Sequence, residues 1–259
     1  MRHLLQRHPI PIRTHFAHSL VLTYALPPEQ LAPLVPPGLA LDTYTAPDGT
    51  EHGFVAAAVV DARGLRPAGL PARIGADLVL TGYRVFTRFP TPGGRTMRGL
   101  RILRSDTGHR LMVAGGNLLS RYHYRLARIG SRAVGDTLEF KVLSADGRAD
   151  LHVRANLAGP PAPLPPGSPF ADVRAARRFA GPLPYTFAYE PQTRSMIVVK
   201  AVRPHWEPRP VTVEVPHLTF FDHGPLAGTR PVLANAFHVS DLDYGWEPGS
   251  RRALDGSTR

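Results

Sequence analysis

The chain has 259 residues, a formal net charge of +11, 43% apolar side chains and no cysteine, which excludes disulfides, thiolate nucleophiles and cysteine-held metals. Only two of its 31 basic residues are lysines, Lys141 and Lys200, and the arginines are scattered through every segment without a helix-turn-helix, zinc-finger or RNA-binding signature; the charge therefore does not argue for a nucleic-acid partner. The longest uncharged apolar run, Phe54 to Val60, is too short to cross a bilayer, and the first eight residues lack a signal-peptide core, so no membrane partner and a cytoplasmic location are expected.

In chain order, Pro27 to Val35 begins on proline and reads as a short helix. Phe54 to Val60 reads as a buried strand. Leu78 to Phe89 and Thr96 to Arg104 alternate with period two and are joined by Pro90-Thr-Pro-Gly-Gly94, predicting a long hairpin. One face of its first strand carries Leu78, Leu80, Gly82 and Arg84, so an inward Arg84 would need a partner or an anionic ligand. A second helix is expected over His109 to Leu119. Leu138 to Leu143 and Ala149 to Ala155 form another hairpin, closed around Asp146-Gly147. The proline-rich stretch 158–169 reads as a surface loop inside one domain, followed by a helix over Ala171 to Phe179 and strands over Ser195 to Val202 and Val232 to Val239. This is a mainly β (α+β) pattern, mostly antiparallel, which fits a single-domain closed or cone-shaped barrel able to hold a small ligand.

Two blocks carry a family likeness. Near the C-terminus, Leu218-Thr-Phe-Phe-Asp-His-Gly-Pro-Leu226 is followed by Arg230-Pro-Val232 and Phe237-His-Val-Ser-Asp241; near the N-terminus stands Leu31-Ala-Pro-Leu-Val-Pro-Pro-Gly-Leu-Ala-Leu-Asp42. Together they resemble the acetoacetate decarboxylase superfamily. With Gly64-Leu-Arg-Pro-Ala-Gly-Leu-Pro71 the likeness narrows to the YqjF-like bacterial proteins, whose function is unknown. It spans roughly residues 15–246, leaving 1–14 as an N-terminal extension and 247–259 as a flexible tail. It implies the same barrel and leaves a homo-oligomer open.

The superfamily's decarboxylase works through an imine on a lysine whose pKa is depressed by a neighbouring cation, which leaves the amine free to attack a keto group. In the matching stretch His123, Tyr124 and Arg125 stand where the family has Pro-Lys-Lys, and Asn117 stands near its usual glutamate. Arginine offers no free amine, so decarboxylation by that route is not expected. A displaced lysine remains: Lys200, in a run apolar on both faces, is the alternative imine former, whereas Lys141 shares a face with Glu139 and reads as solvated.

The segment Arg121-Tyr-His-Tyr-Arg125 offers an acid or base in His123, phenols in Tyr122 and Tyr124, and in Arg125 a cation able to grip a carboxylate. As a strand it would aim only one pair, His123 with Arg125 or Tyr122 with Tyr124, into the lumen; as a helix its arginines would be a solvated stripe. His238 is a further acid–base candidate, with Asp241 three residues on, while Asp222-His223 reads as structural. The resemblance places Asp77 where the family has a pocket glutamate. The expected ligand is a small carboxylate or carbonyl compound, with lyase, dehydratase or cyclisation chemistry or, alternatively, plain binding in a filled former active site. His15-x-x-His18 is too loose a spacing to predict a metal, and no cofactor is expected.

Overall fold

A computed structural model describes residues 2–91, 94–181 and 183–254. Its strands are β1 (Ile12–Leu26), β2 (Ala40–Leu41), β3 (Tyr44–Thr45), β4 (Glu51–Pro67), β5 (Ala76–Pro90), β6 (Thr96–Thr107), β7 (Tyr124–Val134), β8 (Thr137–Ser144), β9 (Leu151–Asn156), β10 (Tyr185–Glu190), β11 (Ser195–Val202), β12 (Arg209–Pro210), β13 (Thr212–Leu218), β14 (Val232–Trp246) and β15 (Ser250–Ala253). The α-helices are α1 (Arg2–Leu5), α2 (Pro28–Leu31), α3 (Arg110–Leu119) and α4 (Val173–Ala180). The expected β5–β6 hairpin forms; residues 92–93 of its turn lie outside the described residues.

Strand pairing runs β6-β10-β11-β14-β1-β4-β5, and an additional β5–β6 ladder returns to the start, so seven strands close into a ring. Closure leaves these strands no free edge. Most ladders are antiparallel, but β6 meets both β7 and β10 in parallel. A second layer, β7-β8-β9-β13, packs outside the ring. The hairpin of β8 and β9 turns at Gly147 with φ 68°, a conformation glycine adopts without a Cβ clash.

The continuous apolar run of β4 is explained by burial on both faces. Val55, Ala57 and Val59 pack with Leu138, Phe140 and Val153 of the outer layer, whereas Phe54, Ala56 and Val60 face inward. A strand covered on both sides has no reason to alternate. At one end of the ring α4, capped by Asp172 accepting from Ala175 N at 2.6 Å, seals the interior by packing Ala176 and Phe179 onto Phe54 and Phe86. At the other end lies α3, whose first turn is capped by the imidazole of His109 accepting from Met112 N. None of its residues is buried. Residues 250–253, expected in a loose tail, instead pair with β11 as β15; residues 255–259 lie outside the described part.

Candidate functional site

Inside the ring lies a cavity of about 100 Å³ whose lining includes Ser19, Thr81, Arg84, Tyr122, Tyr124, Thr186, Trp206, Tyr244 and Trp246. Among the described residues no histidine, lysine or carboxylate borders it. Arg84 reaches it because the even-numbered residues of β5 point inward, and Gly82 leaves room along the strand: a Cβ added there would stand 3.0 Å from Arg84 Nε. The guanidinium makes no hydrogen bond or ion pair with any described residue, and its Nε is buried without a partner. Burial holds its pKa below the ordinary arginine range, an effect that the phenols of Tyr244, Tyr124 and Tyr122 offset only in part. A cation withdrawn from water with no counter-charge is costly. The indole N–H of Trp206 is likewise buried without an acceptor.

Tyr122 lies in the segment between α3 and β7, and Tyr124 opens β7. Asn117, on the last turn of α3, accepts from Tyr124 N at 2.9 Å and donates to Tyr124 O at 2.8 Å, clamping the peptide as a neighbouring strand would. Gly116 lets the helix lie on the ring, since a Cβ there would come within 2.4 Å of Tyr124 Cδ2. His123 between them takes φ 55°, and the side chains of Tyr122 and Tyr124 both line the cavity. The Tyr122 hydroxyl shares a 3.1 Å hydrogen bond with Thr186 Oγ1. Burial pushes its pKa up to about 12 and raises that of Tyr124 as well, so both phenols are neutral donors at ordinary pH.

The remaining residues singled out from the sequence lie elsewhere. His123 and Arg125 border an outer depression of about 330 Å³ with Gln6, Asn117, Ser120, Arg121 and Tyr124, the last of which also lines the inner cavity. Arg125 is 55% exposed and paired with Asp146 at 2.5 Å, in a network that also holds buried Arg104 and Asp106. Burial and the cations of Arg101, Arg125 and Arg121 lower the His123 pKa. Asp77 is exposed at the strand start, accepting from Gly64 N at 2.8 Å and pairing with Arg63. Lys200, the alternative imine former, is exposed near the end of β11, where burial falls off over the last three residues. Lys141 sits beside Glu139 on the wet face, as anticipated.

His238 is buried on the opposite side of β14 from Phe237 and Val239, whose side chains belong to the inner core. Its partner is His18, with Nδ1 of His18 and Nε2 of His238 3.1 Å apart, not Asp241. Asp241 is 94% exposed and meets His15. Burial first, then His18 and Arg209, lower the His238 pKa to about 4. Asp222 and His223 are exposed. Among the described residues no cluster of three or more histidines or carboxylates could hold a metal, and no helix is long and apolar enough to cross a membrane. Thr186 and Trp206 carry no site signal in the sequence; Arg84 on its alternating strand and the Tyr122–Tyr124 segment do.

Residues 13–241 match the family DUF2071, whose description is "uncharacterized conserved protein". No curated protein matches significantly. Among solved structures, the acetoacetate decarboxylase of Legionella pneumophila subsp. pneumophila str. Philadelphia 1 superposes with a TM-score of 0.59 at 15% identity, over 95% of this chain and 88% of that one. An acetoacetate decarboxylase-like enzyme from Sphingomonas wittichii RW1 gives 0.59 at 12% identity, over 96% and 95%. The enduracididine biosynthesis enzyme MppR in complex with pyruvate gives 0.56 at 14%, over 95% and 91%. At such identities the likeness is one of fold.

Proposed function

The chain belongs to the DUF2071 family and has the acetoacetate decarboxylase-like fold, and from that premise we propose that it binds a small carboxylate or carbonyl compound inside the ring, with Arg84 as the carboxylate grip. The observation that carries this reading is the half-buried guanidinium of Arg84, its Nε fully buried, which has no hydrogen-bond or ion-pair partner among the described residues and faces a cavity bordered by none of their acidic side chains. A bound carboxylate would supply the missing counter-charge through charge-assisted hydrogen bonds. Tyr122, Tyr124 and Thr186 would donate to a second oxygen, such as a keto group. Pyruvate bound to MppR, which shares the fold, is a ligand of that class.

Any catalysis here would be lyase, dehydratase or cyclisation chemistry relying on the phenols for proton transfer, since neither Lys141 nor Lys200 borders the cavity and an imine needs an amine. The small volume of the inner space, about 100 Å³, favours a second reading, a binding or scaffold protein whose former active site is filled by side chains.

Calorimetric titration with pyruvate and acetoacetate decides between them. Wild-type protein is expected to bind, and Arg84→Gln to lose about 10- to 100-fold in affinity, the scale of a charged hydrogen-bonded contact. Arg125→Ala, whose guanidinium is already paired with Asp146, is expected to bind as wild type. Equal binding by Arg84→Gln, or loss confined to Arg125→Ala, would remove the proposal; absence of binding by wild type would favour the filled scaffold.

A further inference from the structure

The inner cavity is small beside the roughly 300–1,000 Å³ typical of ligand pockets, but another space adjoins it. A second space of about 290 Å³ runs beneath α3, walled by apolar side chains including Leu65, Leu78, Met112 and Leu119. Leu80, Tyr122, Tyr124 and Trp246 border both spaces. The hydroxyl of Tyr124, part of this shared wall, makes no hydrogen bond with a described residue.

Charge is distributed along the pair of spaces as it is along an amphipathic acid. The inner space holds Arg84, unpartnered. In the outer groove Arg66 is a further cation, its Nε and Nη1 donating to the carbonyls of Leu70 and Gly64, while His109 caps α3 and burial lowers the pKa of His8. Resting on the carboxylate reading above, we propose that the ligand is an amphipathic monocarboxylate, its carboxylate on Arg84 and its apolar body in the groove under α3. The helix itself supports this assignment. Its residues are all at least partly accessible and Leu111 is 77% exposed, so α3 lies over the groove without filling it. Together the two spaces reach the lower end of the ligand-pocket range.

The test is a titration of straight-chain acids from acetate to dodecanoate, kept below their micelle concentrations, with pyruvate and the matching alcohols alongside. Affinity is expected to rise about fourfold per methylene until the groove is full, and to fall for every acid in Arg84→Gln. Gly115 borders the groove, and a Cβ added there meets nothing within 4 Å; Gly115→Phe should cancel the chain-length gain while leaving pyruvate binding intact. Met112→Phe is the substitute if that variant does not fold.

Arg84-dependent binding of pyruvate and acetate with no chain-length gain would overturn the amphipathic ligand and leave the carboxylate reading standing. If alcohols bound as tightly as acids and Arg84→Gln changed nothing, both would fall, as they would if no acid bound at all. A dimer that Leu111→Asp converts to monomer, with no chain-length gain, would assign the groove to a second copy of the chain and overturn the inference.

Discussion

At Gly82 a side chain is missing where Arg84 needs space: an added Cβ would lie 3.0 Å from its Nε and 3.2 Å from its Nη2. Such contacts are tighter than ordinary packing, so the guanidinium would have to move. Glycine inside a strand otherwise weakens it, by about 0.5–1 kcal/mol relative to alanine, which makes Gly82→Ala informative. The variant is expected to melt no lower than wild type while binding pyruvate about tenfold more weakly, a change worth about 1.4 kcal/mol. Equal affinity by calorimetry, with unchanged or higher thermal stability, would mean that Arg84 does not depend on that space.

At the scale of elements, β1 and β14 share a long ladder that carries the His18–His238 contact on its outer side. The folded His238 pKa, lowered to about 4, lies below its ordinary value near 6.5, so the unfolded chain binds more protons between those values. Stability is therefore highest above pH ~6.5 and falls as the pH drops toward 4. Denaturant titrations at pH 7.5 and 5 should show wild type losing about 2 kcal/mol more than His238→Gln across that interval; parallel losses would remove the assignment.

Strands and helices are legible in the sequence because alternation and proline or glycine punctuation are local signals, and β5, β6 and α3 appear where these predict them. Which face of the Tyr122–Arg125 segment turns inward is not legible. That choice depends on the positive φ of His123 and the clamp by Asn117, a side chain seven residues from Tyr124 in sequence. Lys200 misleads for a related reason: its run is apolar on both sides, but it is exposed at the end of the strand where Ala201 and Val202 pair with Trp246 and Gly245, distant in the chain.

For the whole molecule, the ring is unevenly sewn. β1 pairs along most of its length with both β4 and β14. The β10–β11 hairpin, by contrast, joins β6 through Tyr185↔Gly99 and Thr186↔Leu100, and on its other side meets β14 through Ala201↔Trp246 and Val202↔Gly245 and the short β15 through Ser195 to Val198. Segments with few ladder bonds open first. Amides of residues 185–202 are expected to exchange hydrogen faster than those of β1 and β4, and ligand to slow them. Gly99→Ala, whose Cβ would lie 2.4 Å from Tyr185 O, should speed them further. Uniform exchange around the ring would contradict this.

The same seams bear on time as well as strength. Thr186, bonded to Tyr122 at the cavity wall, lies in the hairpin that meets β6 through two residue pairs, so opening of this hairpin would give a bound molecule its exit. Arg84 would then set how tightly the ligand is held, while Gly99, which touches no ligand, would set its residence time.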